Sequence, residues 1–217
     1  MGRFQIITYL PIFSGSIPLN YTTSLKFHYI CIRKTIDMDT KQQFEQVIAL
    51  CRDVFEKKLK DYGSSWRIMR PQSITDQLFI KANRIRNLEV KGISLVDEGI
   101  KPEFIGIVNY GVIGLIQLEK GFANTIDISI QEALNLYDRY ITATKELMYA
   151  KNHDYDEAWR SMRTSSYTDL ILTKIYRTKQ IESNNGDTII SEGIDANYMD
   201  MINYALFGLI KLEHGEQ

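Results

Sequence analysis

One stretch of this chain is written twice, and that duplication constrains its fold more than any other feature. Lys58, Asp61, Tyr62, Trp66, Arg67, Met69 and Arg70 return as Lys151, Asp154, Tyr155, Trp159, Arg160, Met162 and Arg163, each 93 positions further on. Ser73, Thr75, Asp76, Lys81, Arg84 and Glu89 follow at the same shift as Ser166, Thr168, Asp169, Lys174, Arg177 and Glu182, so 13 of the 32 positions from 58 to 89 are identical. After a slip of one residue, Glu98, Gly99 and Ile100 recur as Glu192, Gly193 and Ile194. Asn109 and Tyr110, with Gly114 to Ile116, Leu118, Glu119 and Gly121, recur as Asn203 and Tyr204, with Gly208 to Ile210, Leu212, Glu213 and Gly215, bringing 11 matches in 24 positions. Unrelated segments share about 6 % of positions by composition. The 24 matches in 56 therefore mark an internal repeat.

Each copy reads as three helices. Phe44, Val47, Ile48, Cys51, Val54 and Phe55 carry the i, i+3, i+4, i+7 spacing of an amphipathic helix that runs to about Lys60 and stops at Gly63. A second helix follows Pro71, with Ser73 as the expected N-cap, Asp76 in the capping-box position, and Ile74, Leu78, Ile85 and Leu88 on one face up to Gly92. Pro102 opens a third helix, striped by Ile105, Val108, Val112, Leu115 and Ile116 and ended by Gly121. Residues 134–152, 165–183 and 196–214 take the same places in the second copy, and no strand alternation is seen after residue 38. Three such helices leave an apolar face uncovered, so the expected fold is all-α: two three-helix repeats, 38–122 and 130–217, packed as a helical bundle about a pseudo-two-fold axis.

Residues 1–37 have another character. Arg3, the apolar Ile6 to Phe13 broken by Pro11, and then Ser, Gly, Asn and Thr show no clear periodicity. They half fit a signal peptide, but the preferred reading is an irregular extension, disordered or not native, with the folded protein beginning at Met38. The longest apolar run, Phe104 to Leu118, is shorter than the ~18 residues of a membrane span and reads as a core helix. Twenty-six Lys and Arg against 27 Asp and Glu provide no bulk field towards nucleic acid or an acidic membrane. Two cysteines, Cys31 and Cys51, make no disulfide framework and fit a reducing, cytoplasmic setting.

Between the copies, core positions have drifted while a polar set has stayed fixed. Ile74 is matched by Tyr167 and Ile85 by Thr178, whereas Lys58, Asp61, Tyr62, Trp66, Arg67, Arg70, Asp76, Lys81 and Arg84 keep their identity. Lys81 falls in the seam 74, 78, 81, 85, 88, and Lys174 in the seam 167, 171, 174, 178, 181. A charge among apolar neighbours needs a partner or a ligand. Two readings stand: a structural ion pair of Lys81 with Asp61 or Asp76, or an anion site in which Lys81, Arg84, Arg67 and Arg70 gather phosphate. Residues 58 to 91 hold eight Lys or Arg against three acids, while 151 to 182 hold six against five, so the first copy is the more cationic. Trp66 and Trp159, each with Tyr62 or Tyr155 nearby, either close a helix corner or stack a base. A Mg²⁺ site of Asp169, Glu192 and Asp200 is the candidate metal centre, in the second copy alone, because Gly106 stands in the first where Asp200 stands in the second. No zinc constellation, Walker motif or dinucleotide fingerprint is present.

The repeated Lys-x-x-Asp-Tyr-x-x-x-Trp-Arg-x-Met-Arg-x-x-Ser-x-x-Asp-x-x-x-x-Lys-x-x-Arg, followed by Asn-Tyr in the third helix, resembles the nucleotide modification associated domain 1 family over residues 44 to 215. That resemblance implies a bacterial tandem-domain protein tied by genomic association to nucleotide or base modification. Two functions from different classes follow. One binds or acts on a nucleotide or another phosphate-bearing small molecule, loosely similar to Mg²⁺-dependent MazG-type pyrophosphohydrolases but without their Glu-x-x-Glu pair. Its site would draw on Lys58 to Arg84 and on Lys151, Asp154, Tyr155, Trp159, Arg160, Arg163, Lys174 and Arg177. The other is a non-catalytic helical module whose polar motif is a latch and whose partner is a protein, a further copy of itself included.

Overall fold

The computed structural model describes residues 39–92 and 99–215, so the readings made for residues 1–37 lie outside the described residues. Within them are six α-helices and no strand. The first repeat contains α1 (Thr40–Tyr62), a 3₁₀ corner (Ser65–Ile68), α2 (Pro71–Lys91) and α3 (Lys101–Lys120). The second contains α4 (Ile130–Tyr155), a corner (Ala158–Ser161), α5 (Thr164–Ser183) and α6 (Ile194–His214). Gly92 and Gly121 end α2 and α3 with φ near +65° and +70°, a conformation glycine adopts without steric cost. No helix among the described residues is long and apolar enough to cross a membrane.

The helix starts differ from the sequence reading in two ways. Arg70 and Arg163, in extended conformation, are the N-cap residues of α2 and α5, and neither makes a side-chain cap. Ser73 and Ser166 therefore lie within the first turn. Pro71 is the first helical residue because its fixed φ suits that position and its missing N–H would have no intrahelical partner there. The α4 helix begins four residues before the expected 134. Ser129 accepts a hydrogen bond from the Glu132 backbone N–H at 3.1 Å, a cap not recognised in the sequence.

The two repeats pack about a pseudo-two-fold axis, and the reciprocity of the contacts demonstrates it. The most extensive helix pair is α3 against α6, helices that are apolar nearly all round and buried accordingly. Small residues let them approach. A Cβ on Gly208 would stand 2.9 Å from the Phe104 ring, and one on Gly114 would stand 2.7 Å from the Tyr198 ring. Phe104 and Tyr198 are equivalent positions, as are Gly114 and Gly208, so each repeat inserts a ring over the other's glycine.

The α2–α5 contact follows the same rule with polar groups. Thr75 donates to Glu182 at 2.7 Å, and Thr168 donates to Glu89 at 3.0 Å. Lys179 pairs with Asp76 at 2.6 Å, and its counterpart Arg86 lies 3.9 Å from Asp169. In both repeats the buried Asn of the third helix donates to a first-helix carbonyl, Asn109 to Cys51 at 3.1 Å and Asn203 to Thr144 at 3.3 Å. Buried backbone and amide groups need such partners. Cys51 is a free thiol whose ionisation burial pushes up, as fits an inert packing residue.

Candidate functional site

Much of the repeated polar set holds the fold. Arg67, 1 % exposed, forms a two-pronged pair with Asp127 (2.7 and 3.1 Å) and donates to the Gly121 carbonyl and to Gln117. Gln117 in turn donates to the corner carbonyls of Trp66, Arg67 and Met69. Arg160 does the equivalent work with other partners: Glu157 at 2.6 Å, and Thr40 and Gln43 of the opposite repeat, each at 2.7 Å. Each arginine ties its corner to the chain near the start of the other repeat's first helix. Asp76 and Asp169 are occupied by Lys179 and Arg86 across the α2–α5 contact. Arg70 and Arg163 are exposed at helix starts. Arg177 borders a separate hollow beside residues 184–191, and Asp61 and Asp154 are exposed.

The seam lysines are where the repeats diverge. In the second repeat the Asp200 carboxylate receives Lys174 at 2.5 Å and Lys151 at 3.0 Å. Burial works to raise the Asp200 carboxyl, but the hydrogen bonds from Lys174 and then Lys151 outweigh it and hold it below the ordinary range. In the first repeat the carboxylate is one turn earlier. Glu103, matched by Asn197 in the second copy, receives Lys81 at 3.3 Å and Arg84 at 2.5 Å. This replaces the expected pairing of Lys81 with Asp61 or Asp76. Asp61 is exposed, Asp76 is drawn away to Lys179, and Glu103 is the buried acid facing the seam.

Gly106 fills the position of Asp200, and the Lys81 side chain lies across it: a Cβ there would meet Lys81 Cε at 2.5 Å. With no carboxylate at 106, a hollow of about 620 Å³ opens among the end of α1, the corner, α2 and α3. That volume is within the usual range for small-molecule sites, roughly 300–1,000 Å³. Lys58 and Lys81, equivalents of the two lysines that grip Asp200, both line it. The Lys58 ammonium has no ion pair among the described residues. The remaining wall is largely apolar and aromatic: Phe55, Leu59, Ile105 and Ile113 with Tyr62, Trp66 and Tyr110. Lys81 Nζ lies 5.8 Å from the Tyr110 ring centre.

The matching region of the second repeat is filled twice over. Asp200 replaces Gly106, and Phe207 replaces Ile113 and stacks on Trp159 with centroids 4.6 Å apart and planes 14° from parallel. Arg160 also lies against that indole, 4.4 Å from its centre. Trp66 meets Phe55 only at a tilt, with planes 38° apart and centroids 6.4 Å apart, and it borders the hollow. Tyr62 borders it too, half exposed, whereas Tyr155 is 71 % exposed.

The proposed metal ligands are not brought together. Asp169 is exposed beside Arg86, and Asp200 is taken by two lysines. Glu192 acts as a nearby charge on Lys151 and Tyr204. No group of three His, Cys, Asp or Glu among the described residues could hold a metal ion. The residues missed in the sequence are Glu103, Ile113 and Phe207. Their signal was available in the positions where the copies disagree.

Fold and site together define a tandem-duplicated all-α protein with one open and one filled version of the same polar corner. The nucleotide modification associated domain 1 family model matches twice, over residues 58–118 and 151–212, and the chain belongs to that family. No curated protein and no solved structure matches it.

Proposed function

We propose that this chain binds a nucleotide in the first-repeat hollow, in the cytoplasm, with Lys58 and Lys81 meeting phosphate and Trp66, Tyr62 and Tyr110 offering ring surface to the base. One observation carries the reading: Lys58 and Lys81, the equivalents of the two lysines that share a carboxylate in the second repeat, border an open cavity in the first, where glycine replaces that acid. Ammonium groups beside an aromatic wall suit a molecule with an anionic end and a planar body. Family membership, with its tie to nucleotide modification, agrees with this. The test is calorimetric titration of the full chain with ribo- and deoxyribonucleotides, with and without Mg²⁺. Lys58→Met and Lys81→Met should each weaken binding at least tenfold, and unchanged affinity in both would refute the site. Chromatography of the same mixtures detects turnover; monophosphate and pyrophosphate released from a triphosphate would identify a pyrophosphohydrolase.

A second reading, a non-catalytic module that binds a protein, draws on the internal pairing of Asp76, Asp169, Arg67 and Arg160. Those residues work as latches. This reading predicts that no nucleotide raises the melting temperature.

A further inference from the structure

We infer that the two repeats are functionally unequal: the second carries, in Asp200 and Phe207, a built-in occupant of the site that the first leaves open, so the chain takes one ligand, a nucleoside monophosphate. The inference rests on the nucleotide reading above and specifies the ligand's anionic group and the stoichiometry.

The second repeat shows what this pair of lysines accepts. Lys151 and Lys174 converge on one carboxylate, at 3.0 and 2.5 Å. Their equivalents, Lys58 and Lys81, border the first-repeat hollow, where Gly106 supplies nothing. A ligand oxygen at the place of the Asp200 carboxylate would complete the same arrangement. The filled repeat limits the size of that group. There two ammonium groups meet a single carboxylate, so the open place takes one compact anionic group. A terminal phosphate, with about −1.5 to −2 at neutral pH, is such a group, whereas a triphosphate chain extends past the two lysines. The other filling residue points to the ring. Phe207 stacks on Trp159, while Trp66 and the smaller Ile113 both line the hollow. In the first repeat the ligand's base takes the volume that Phe207 occupies in the second.

This asymmetry gives a two-way exchange. Gly106→Asp should plug the first site. The new Cβ displaces only the flexible end of Lys81, and the same residue is accommodated beside Lys174 in the second repeat. Asp200→Gly combined with Phe207→Ile should open a second site.

The deciding experiment is isothermal titration of the full chain and these variants with nucleoside monophosphates, the matching triphosphates and the bare nucleosides, with folding followed by circular dichroism. The expected results are one monophosphate per wild-type chain, at least tenfold weaker binding of the triphosphate and the nucleoside, and no binding to folded Gly106→Asp. Two sites in the Asp200→Gly, Phe207→Ile variant would confirm the exchange. Should that variant fail to fold, the wild-type stoichiometry and Gly106→Asp decide alone. Two equal wild-type sites, or undiminished affinity in Gly106→Asp, would overturn the asymmetry and leave nucleotide binding standing. Tighter triphosphate binding would overturn the assignment of the anionic group. Failure of every nucleotide to bind would instead refute the reading on which the inference rests.

Discussion

Thr75 donates its hydroxyl hydrogen to Glu182 at 2.7 Å across the repeat contact, and the symmetry-equivalent bond runs from Thr168 to Glu89 at 3.0 Å. Burial raises both glutamates above the ordinary 4.5, ahead of the opposing threonine hydrogen bonds. A carboxyl whose folded value is raised contributes stability below its unfolded value and loses it as pH rises through the folded value. At neutral pH the two half-buried charges are therefore a net cost. Glu89→Gln with Glu182→Gln should melt higher than the parent at pH 7 and alike at pH 4, since glutamine still accepts from threonine. Thermal unfolding against pH checks this, and a lower melting temperature at pH 7 would contradict it.

Asp200 behaves in the opposite sense. Its folded value lies below the ordinary 3.8 because Lys174 and Lys151 outweigh burial, so its contribution is present above that value and disappears as pH falls through the folded one. Asp200→Asn leaves two lysines without their acid. The expected loss is about 2 kcal/mol at pH 7, the scale of hydrogen bonds to charged groups, shrinking towards zero at strongly acid pH. Urea unfolding at pH 7 and pH 3 measures the difference.

The two central asparagines are unequally satisfied. Tyr137 donates to Asn109 Oδ1 at 2.9 Å. At the equivalent place beside Asn203 stands Phe44, and Asn203 Oδ1 is buried with no hydrogen-bond partner among the described residues. Tyr137→Phe should cost about 1–2 kcal/mol by orphaning Asn109. Phe44→Tyr should recover part of that order of energy in the other repeat. Denaturant titration of each variant reads both signs.

The duplication, the six helices and the pseudo-two-fold packing were legible in the sequence because periodicity and repetition are local signals. Ser129 was missed because the expected start of α4 was read from its apolar residues, which begin after the cap. The site was legible only in part. Residues that the copies share, such as Arg67 and Arg160, are phosphate candidates in the sequence and brace the corners in the structure. Identity between the copies reports what both repeats need in order to fold and pack. The exchange of Glu103 for Asn197 and of Gly106 for Asp200 moves one carboxylate by a helical turn. Its meaning depends on side chains from α1 and α2, whose approach to α3 no spacing rule reveals.

The most direct test of nucleotide binding in the first-repeat hollow uses the chain's two tryptophans. In Trp159→Phe, Trp66 alone reports, from the wall of the cavity. Titration with a nucleoside monophosphate should change its emission saturably, and adding Gly106→Asp to the same background should abolish the change. Emission that stays flat throughout, or a response that survives Gly106→Asp undiminished, would contradict the account.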